Sequence, residues 1–475
     1  MLLHIFIINK KHYTKNMTDT ITNFLQWVDN FLNFEKLPNK NIFWLDMMKA
    51  ICKKFENPQN EIPSIHVAGS KGKGSVSAMI SSILTTAGKK TGVYSSPHIE
   101  DFRERIKLND SFFPDEIYKK ASEQLILKFN QIKNELPKDR VVTWFELVTI
   151  YAFLCMKIAQ VDYSIYEVGL GGRLDATNII IPELSIINSI ELEHTEFLGN
   201  TVEKIAFEKA GIIKKGIPVL CANQTESVKK VFINVAKENN SKIYFADELC
   251  KNIFYKYVQT DNQKLMNVHI ESNLFSRPLD FNTKMFGSFQ AHNAFLAAAA
   301  IRLTNPDILE DIIEEGLSNV SLPGRFEIIK LKSQKNLTNN ENFCYAIIDG
   351  AHTVNSINFT LETLQNVFPN KKANLLFACA ADKDVEHIAN LFTSKFDKIF
   401  LTRPGLTKSS DSQKLKTAFA KCNIDFTYND DFEQIIFNSI KESILENKIL
   451  LITGSFYLAS EVKKIIQCKF VQLDE

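Results

Sequence analysis

His66-Val-Ala-Gly-Ser-Lys-Gly-Lys-Gly-Ser-Val-Ser77 is a short apolar run that passes into a loop of glycine, lysine and serine. Its glycines let backbone N–H groups turn inward around an anion, and a following helix N-terminus adds partial positive charge. Ser64–Ala68 predicts a strand before the loop, and apolar residues at helical spacing across Val76–Ala87 predict a helix after it. Lys73 is placed to reach the outer phosphates of a nucleotide. Gly69, Ser70, Lys71, Gly72, Lys73, Gly74 and Ser75 are the candidate phosphate-binding residues. A glycine-rich strand-to-helix turn without a ligand is the plain alternative.

The loop departs from the standard phosphate-binding pattern in two places. Val67 stands where a glycine is usual, and Gly74 follows Lys73 where Ser or Thr ordinarily holds Mg²⁺. The magnesium hydroxyl is therefore expected from another segment.

A chain of 475 residues is too long for one ordinary core and predicts two domains. With 45% hydrophobic and 23% charged residues it reads as soluble and globular. A net charge of +1 gives no electrostatic reason to expect nucleic acid or a membrane surface as a partner. The eight cysteines are scattered, without CxxC or metal-type spacing, which suits free thiols in a reducing cytoplasm. The apolar opening, Met1 to Ile8, is too short to span a bilayer. Residues 1–16 are set aside as a non-native or disordered extension, with Met17 a candidate start, because a helical pattern begins only after it.

Strand-like runs alternate with helical patterns, which predicts an α/β fold with largely parallel sheets. Strands are expected at Thr91–Ser95, Ser164–Val168, Leu184–Ile190 and Pro218–Ala222. Helices are expected at Asp46–Phe55, Phe145–Ala159, Val202–Ala210 and Gln290–Arg302, and short strands within Leu249–Asn282. Pro323-Gly324-Arg325 marks a linker, dividing an expected domain at 17–322 from one at 323–475. In the latter, strands fit Tyr345–Asp349, Asn374–Cys379, Lys398–Leu401 and Ile449–Thr453, and Ser333–Asn342 reads as an exposed loop.

Several polar residues fall at strand ends, where α/β sheets place ligand-contacting groups. Glu167 ends an apolar strand and suits Mg²⁺, although a rim pair with Arg173 is the alternative. Gly169, Gly171 and Gly172 do not open a helix, since Ile179-Ile-Ile-Pro182 follows, so a dinucleotide fingerprint is rejected. Ser96, after the next strand, is the preferred source of the missing hydroxyl. His194 follows another strand, and a lone histidine is more often structural. Lys209 lies near a helix end capped by Gly211, where it complements the helix dipole on the plain reading. Arg325, Asp349, His352 and Asp382–Asp384 are expected to line one sheet edge of the second domain, facing the phosphate loop.

Taken in order, His66–Ser75, Ser95–His98, Thr143–Glu146, Glu167–Asn178, His194, Glu208–Ile212, Pro323–Phe326, Asp349–His352, Asp382–Asp384 and Gly454–Phe456 resemble the folylpolyglutamate synthase and dihydrofolate synthase family of the Mur ligase superfamily. The resemblance spans nearly the whole chain. It implies a phosphate-loop central domain, a Rossmann-like C-terminal domain, and ATP-dependent ligation of L-glutamate to dihydropteroate or a reduced folate through an acyl phosphate. It further implies Ser96 and Glu167 as ligands of one Mg²⁺, and Glu167 with His194 as ligands of a second. Lys209 matches a carbamylated lysine. Asn293, Arg325 and Asp349 match nucleotide-binding positions, and His352 the glutamate or acyl-phosphate region. Lys73, Lys209 and His352 are then the expected catalytic residues, in a cytoplasmic monomer.

Four residues differ from the family's usual pattern: Lys71 for asparagine, Phe289 for histidine, Glu193 for aspartate, and Thr353-Val354 for Asn-Pro. A peptidoglycan-building Mur ligase is the nearest rival, but Met17 to Pro63 leaves no room for a nucleotide-sugar domain. A phosphate-loop NTPase acting as a switch or binding module is the rival of another class.

Overall fold

The computed structural model describes residues 19–33, 45–138, 141–260, 263–333, 342–405 and 409–473. The proposed 1–16 extension, and all of the expected loop but its end residues, lie outside them. By its internal contacts the chain divides into two units. The first holds residues 1–253, 269–281 and 292–319; the second holds 254–268, 282–291 and 320–475.

The strands in chain order are β1 (Ser64–Ala68), β2 (Thr91–Tyr94), β3 (Ile106–Leu108), β4 (Tyr163–Glu167), β5 (Leu184–Ile187), β6 (Val219–Cys221), β7 (Ile243–Phe245), β8 (Cys250–Gln259), β9 (Lys264–Ser272), β10 (Leu279–Thr283), β11 (Glu327–Ser333), β12 (Cys344–Ile348), β13 (Ala373–Phe377), β14 (Lys398–Leu401), β15 (Thr427–Tyr428), β16 (Ile449–Thr453) and β17 (Phe470–Leu473). The first sheet has the order β3-β2-β4-β1-β5-β6-β7 and is parallel except where β3 joins β2. Every residue of β1 and β4 is buried, as expected for parallel strands covered on both faces. The central strand β1 is flanked by β4 and β5, so polar residues just beyond all three share one edge.

The second large sheet has the order β15-β14-β13-β16-β12-β11-β17. Its five-stranded parallel part is extended by β11 and β17, both antiparallel, which the sequence pattern did not single out. A three-stranded sheet, β10-β9-β8, accounts for the mixed stretch, with strands longer than the short ones expected.

The helix Trp144–Ala159 shows how sequence, cap and core agree. Thr143 and Glu146 form a reciprocal capping box at its start, and Gln160 closes it in the left-handed conformation. Nearly all of its side chains are buried, and Tyr151 stacks on Phe24 at 4.0 Å. Each fully buried large apolar side chain contributes about 1.5–3 kcal/mol.

Candidate active site

The loop after β1 turns at Gly72, whose φ of +76° is left-handed, so the helix Lys73–Thr86 starts at the lysine itself. That is three residues earlier than the apolar spacing predicts, because apolar residues enter the helix only at Val76. Lys73, Gly74 and Ser75 consequently form its first turn, whose N–H groups have no partner within the helix. A β-carbon at Gly72 would lie 2.3 Å from Asn188 Nδ2 and 2.6 Å from Asn293 Oδ1; one at Gly69 would lie 2.8 Å from Asn188 Cβ. Both glycines are thus required by close packing as well as by φ.

Two ammonium groups converge on one carbonyl of this loop. Lys73 Nζ donates to Gly69 O at 2.9 Å, and Lys209 Nζ donates to the same oxygen at 3.0 Å. Lys209 also donates to Glu193 Oε1 at 3.0 Å. Its side chain is 2% exposed, and burial pushes its ammonium down to about 8, with Glu193 pulling the other way and Lys73 and Lys71 adding to the fall. Burial alone would raise the Glu193 carboxyl, but Lys209, Lys73, Lys71 and His194 outweigh it and hold it below the usual range. Gly211 does not cap the helix in the left-handed form expected: its φ is −61°. It is glycine because a β-carbon there would lie 2.4 Å from Arg173 Cα. Lys209 therefore points into the site.

Glu167 ends β4 as expected and is 6% exposed. Its Oε2 accepts from Ser96 N at 3.3 Å and lies 3.6 Å from where a β-carbon of Gly74 would be. The rim pair with Arg173 is not formed, since Arg173 pairs with Glu208 at 2.9 Å. The Ser96 segment is held by its neighbours: Ser95 N donates to Arg105 O, and Arg105 Nε donates to His98 Nδ1 at 2.8 Å. The Ser96 backbone, the Glu167 carboxylate and the helix N-terminus thus stand together, and the carboxylate is a hard oxygen ligand that fits Mg²⁺ beside a phosphate. His194 is exposed, with a left-handed φ of +46°, at the start of the short helix Thr195–Leu198. Among the described residues no group of three or more His, Cys, Asp or Glu is arranged to hold a metal.

Other polar residues of this edge had not been picked out from the sequence. Asp175 accepts from the N–H groups of Gly169, Leu170 and Thr177, which explains the glycine cluster as a loop wrapped around a carboxylate. Thr177 Oγ1 donates to Asp175 Oδ1, so it accepts from His66 Nε2 at 2.8 Å, and this assigns the proton of the neutral His66 ring to Nε2. Asn188, the first residue beyond β5, was hidden because the apolar pattern of 184–190 extends the expected strand past Ile187.

In the second unit, Asp349 follows β12 and is buried. Its Oδ2 accepts from Phe326 N at 2.8 Å, and its Oδ1 from Ala351 N at 2.9 Å and Thr360 Oγ1 at 3.1 Å. Burial raises its carboxyl despite these donors and the nearby Arg325. The Arg325 guanidinium lies 4.4 Å from the Phe456 ring centre. His352 Nδ1 is 2.8 Å from Gly350 O, so Nδ1 carries the proton and Nε2 is the acceptor of the neutral ring. Lys414 Nζ donates to the carbonyls of Ala381 and Lys383, fixing the Asp382–Asp384 loop after β13.

Two family descriptions match this chain: the Mur ligase middle domain over residues 67–301 and the Mur ligase glutamate ligase domain over residues 324–456. The chain is 30% identical to a probable dihydrofolate synthetase of Schizosaccharomyces pombe, over 89% of this chain and 98% of that protein. It is 29% identical to a dihydrofolate synthase/folylpolyglutamate synthase of Bacillus subtilis, over 92% and 97%. Among solved structures, a folylpolyglutamate synthase of Thermotoga maritima superposes with a TM-score of 0.77 at 28% identity, covering 94% of this chain and 96% of that one.

Proposed function

The chain belongs to the dihydrofolate synthase/folylpolyglutamate synthase family of Mur ligases and is a ligase; from that premise we propose that it uses ATP to join L-glutamate to dihydropteroate, to a reduced folate, or to both. The observation that carries the reading is the loop after β1, where Lys73 and Lys209 meet at Gly69 O and the Glu167 carboxylate lies beside Gly74.

In the proposed reaction a folate carboxylate oxygen takes the γ-phosphoryl group of ATP, releasing ADP and forming an acyl phosphate. The glutamate amine then attacks the acyl carbon, loses a proton, and inorganic phosphate leaves as the amide forms. Lys73 exchanges the Gly69 carbonyl for phosphate oxygens, and the N–H groups at the helix start face the same charge. Ser96 and Glu167 would hold Mg²⁺, which when bound neutralises phosphate charge. His194 with Glu167, and Lys209 as a carbamate, would serve a second ion. Asn293, Arg325 and Asp349 are assigned to the nucleotide, and His352 to glutamate or the acyl phosphate. All eight cysteines are free, which supports a reducing compartment such as the cytoplasm, and no helix among the described residues is long and apolar enough to cross a membrane.

The test is ADP release with ATP and Mg²⁺, with dihydropteroate and tetrahydrofolate supplied separately. Release that depends on both glutamate and one acceptor is expected, and the acceptor used distinguishes one activity from two. Release unchanged when glutamate is omitted would favour a nucleotide switch and overturn the ligation reading.

A further inference from the structure

Asn188 and Asn293 form a buried amide pair beneath the phosphate loop, and its hydrogen-bond directions are fixed from one end. Asn188 is 4% exposed and Asn293 5% exposed. The backbone of Asn188 is tied down twice, its N–H donating to Ala68 O at 2.8 Å and its carbonyl accepting from Gln224 Nε2 at 3.0 Å. Its side-chain Oδ1 accepts from Ser189 N at 2.8 Å. A backbone N–H can only donate, so the Asn188 atom facing it must be oxygen. Nδ2 is then the end that faces Asn293, and it donates to Asn293 Oδ1 at 2.8 Å. The reverse orientation would set two donors against each other at Ser189 and leave a buried polar group unpaired, at a cost of about 1–3 kcal/mol.

We propose that Asn188 is a positioning residue for the nucleotide: by holding Asn293 Oδ1 it turns Asn293 Nδ2 to the opposite side as a donor. The matching ligand group is an acceptor, such as a phosphate oxygen or an unprotonated purine nitrogen, both of which ATP carries. The same pair sets the height of the loop, since it occupies the space into which a β-carbon at Gly72 would project. The proposal rests on the reading of Asn293 as a nucleotide-binding residue.

A double-mutant cycle tests it, with titration of a non-hydrolysable ATP analogue as the readout. N293A is expected to weaken analogue binding about tenfold, and N188A about three- to tenfold, by converted free energies typical of one hydrogen bond. In the N293A background N188A is expected to weaken it no further. In steady state, N188A should raise the KM for ATP and leave that for glutamate unchanged, and N188S, which restores a donor, should recover part of the loss. Equal effects of N188A with and without Asn293 would reduce Asn188 to a structural support and overturn the proposal. So would unchanged binding in N188A. Unchanged binding in N293A would overturn it at Asn293, while glutamate-dependent ADP release in that variant would show the ligase reading intact.

Discussion

At the end of β1, two ammonium groups share one carbonyl and one of them also holds a carboxylate; at the end of β12, one carboxylate collects two backbone N–H groups and a hydroxyl. Both edges bury charge, but they spend it differently. Lys73 and Lys209 hold acceptors that a phosphate can replace, so the first edge is arranged to exchange partners. Asp349 ties the Phe326 segment, the Ala351 turn and the helix Val354–Val367 together, so its contacts are needed whether or not a ligand is bound, and its proposed part in nucleotide binding is to hold that backbone and Arg325 in place. A buried charge whose partners are replaceable points to chemistry, and one whose partners are the backbone points to architecture.

The largest expected effect separates these roles. Lys73→Ala should lower glutamate-dependent ADP formation by about 10³-fold or more, since it removes a cation from the developing phosphate charge. The thermal midpoint should barely change, because one partly buried bond is lost, worth about 1 kcal/mol. A large fall in the midpoint would place Lys73 with Asp349 as architecture and break the contrast.

Lys209 comes next. Lys209→Ala should reduce turnover by about 10²-fold and, unlike Lys73→Ala, also destabilise the protein, because the half-buried Glu193 loses its hydrogen-bonded ammonium and a fully buried side chain is truncated. If Lys209 acts as a carbamate, a short carboxylic acid should restore part of the turnover. If its ammonium is the active form, clamping Gly69 and Glu193, the acid should do nothing.

Much of this edge was legible in the sequence. Parallel strands buried on both faces give apolar runs that stop where the polar edge begins, so Glu167, Ser96 and the loop were found by position. Asn188 and Asp175 were not, because what each does depends on N–H groups that only the fold brings to it. The same holds for Gly211: a glycine after a helix reads as a left-handed cap, and only the approach of Arg173 shows why it is there. β11 and β17 escaped because each is an edge or near-edge strand of mixed polarity.

A smaller effect is expected at the second edge. Asp349→Asn replaces one accepting oxygen with a donor facing backbone N–H groups, which should cost about 1–3 kcal/mol of stability. Activity should fall in parallel with the folded fraction, and the KM for ATP should rise only as far as Arg325 loses its carboxylate neighbour. A loss of activity without loss of stability would move Asp349 to the exchangeable class.

A third buried acidic group extends the comparison at the smallest scale. Glu146 is buried and has no cationic partner among the described residues; its Oε2 accepts from Thr143 N and Oγ1, and burial raises its carboxyl to about 7. The folded value lies above the unfolded one of 4.5. Between those values the unfolded chain releases its proton while the folded chain keeps it, so wild-type stability should decline as pH rises from about 4.5 to 7. Glu146→Gln keeps an oxygen for the capping box and removes the titration. Its thermal midpoint relative to wild type should therefore increase over that window, by about 1–3 °C for a chain of this size. A flat difference would show that Glu146 is ionised in the folded protein, with the capping donors enough to hold a buried carboxylate.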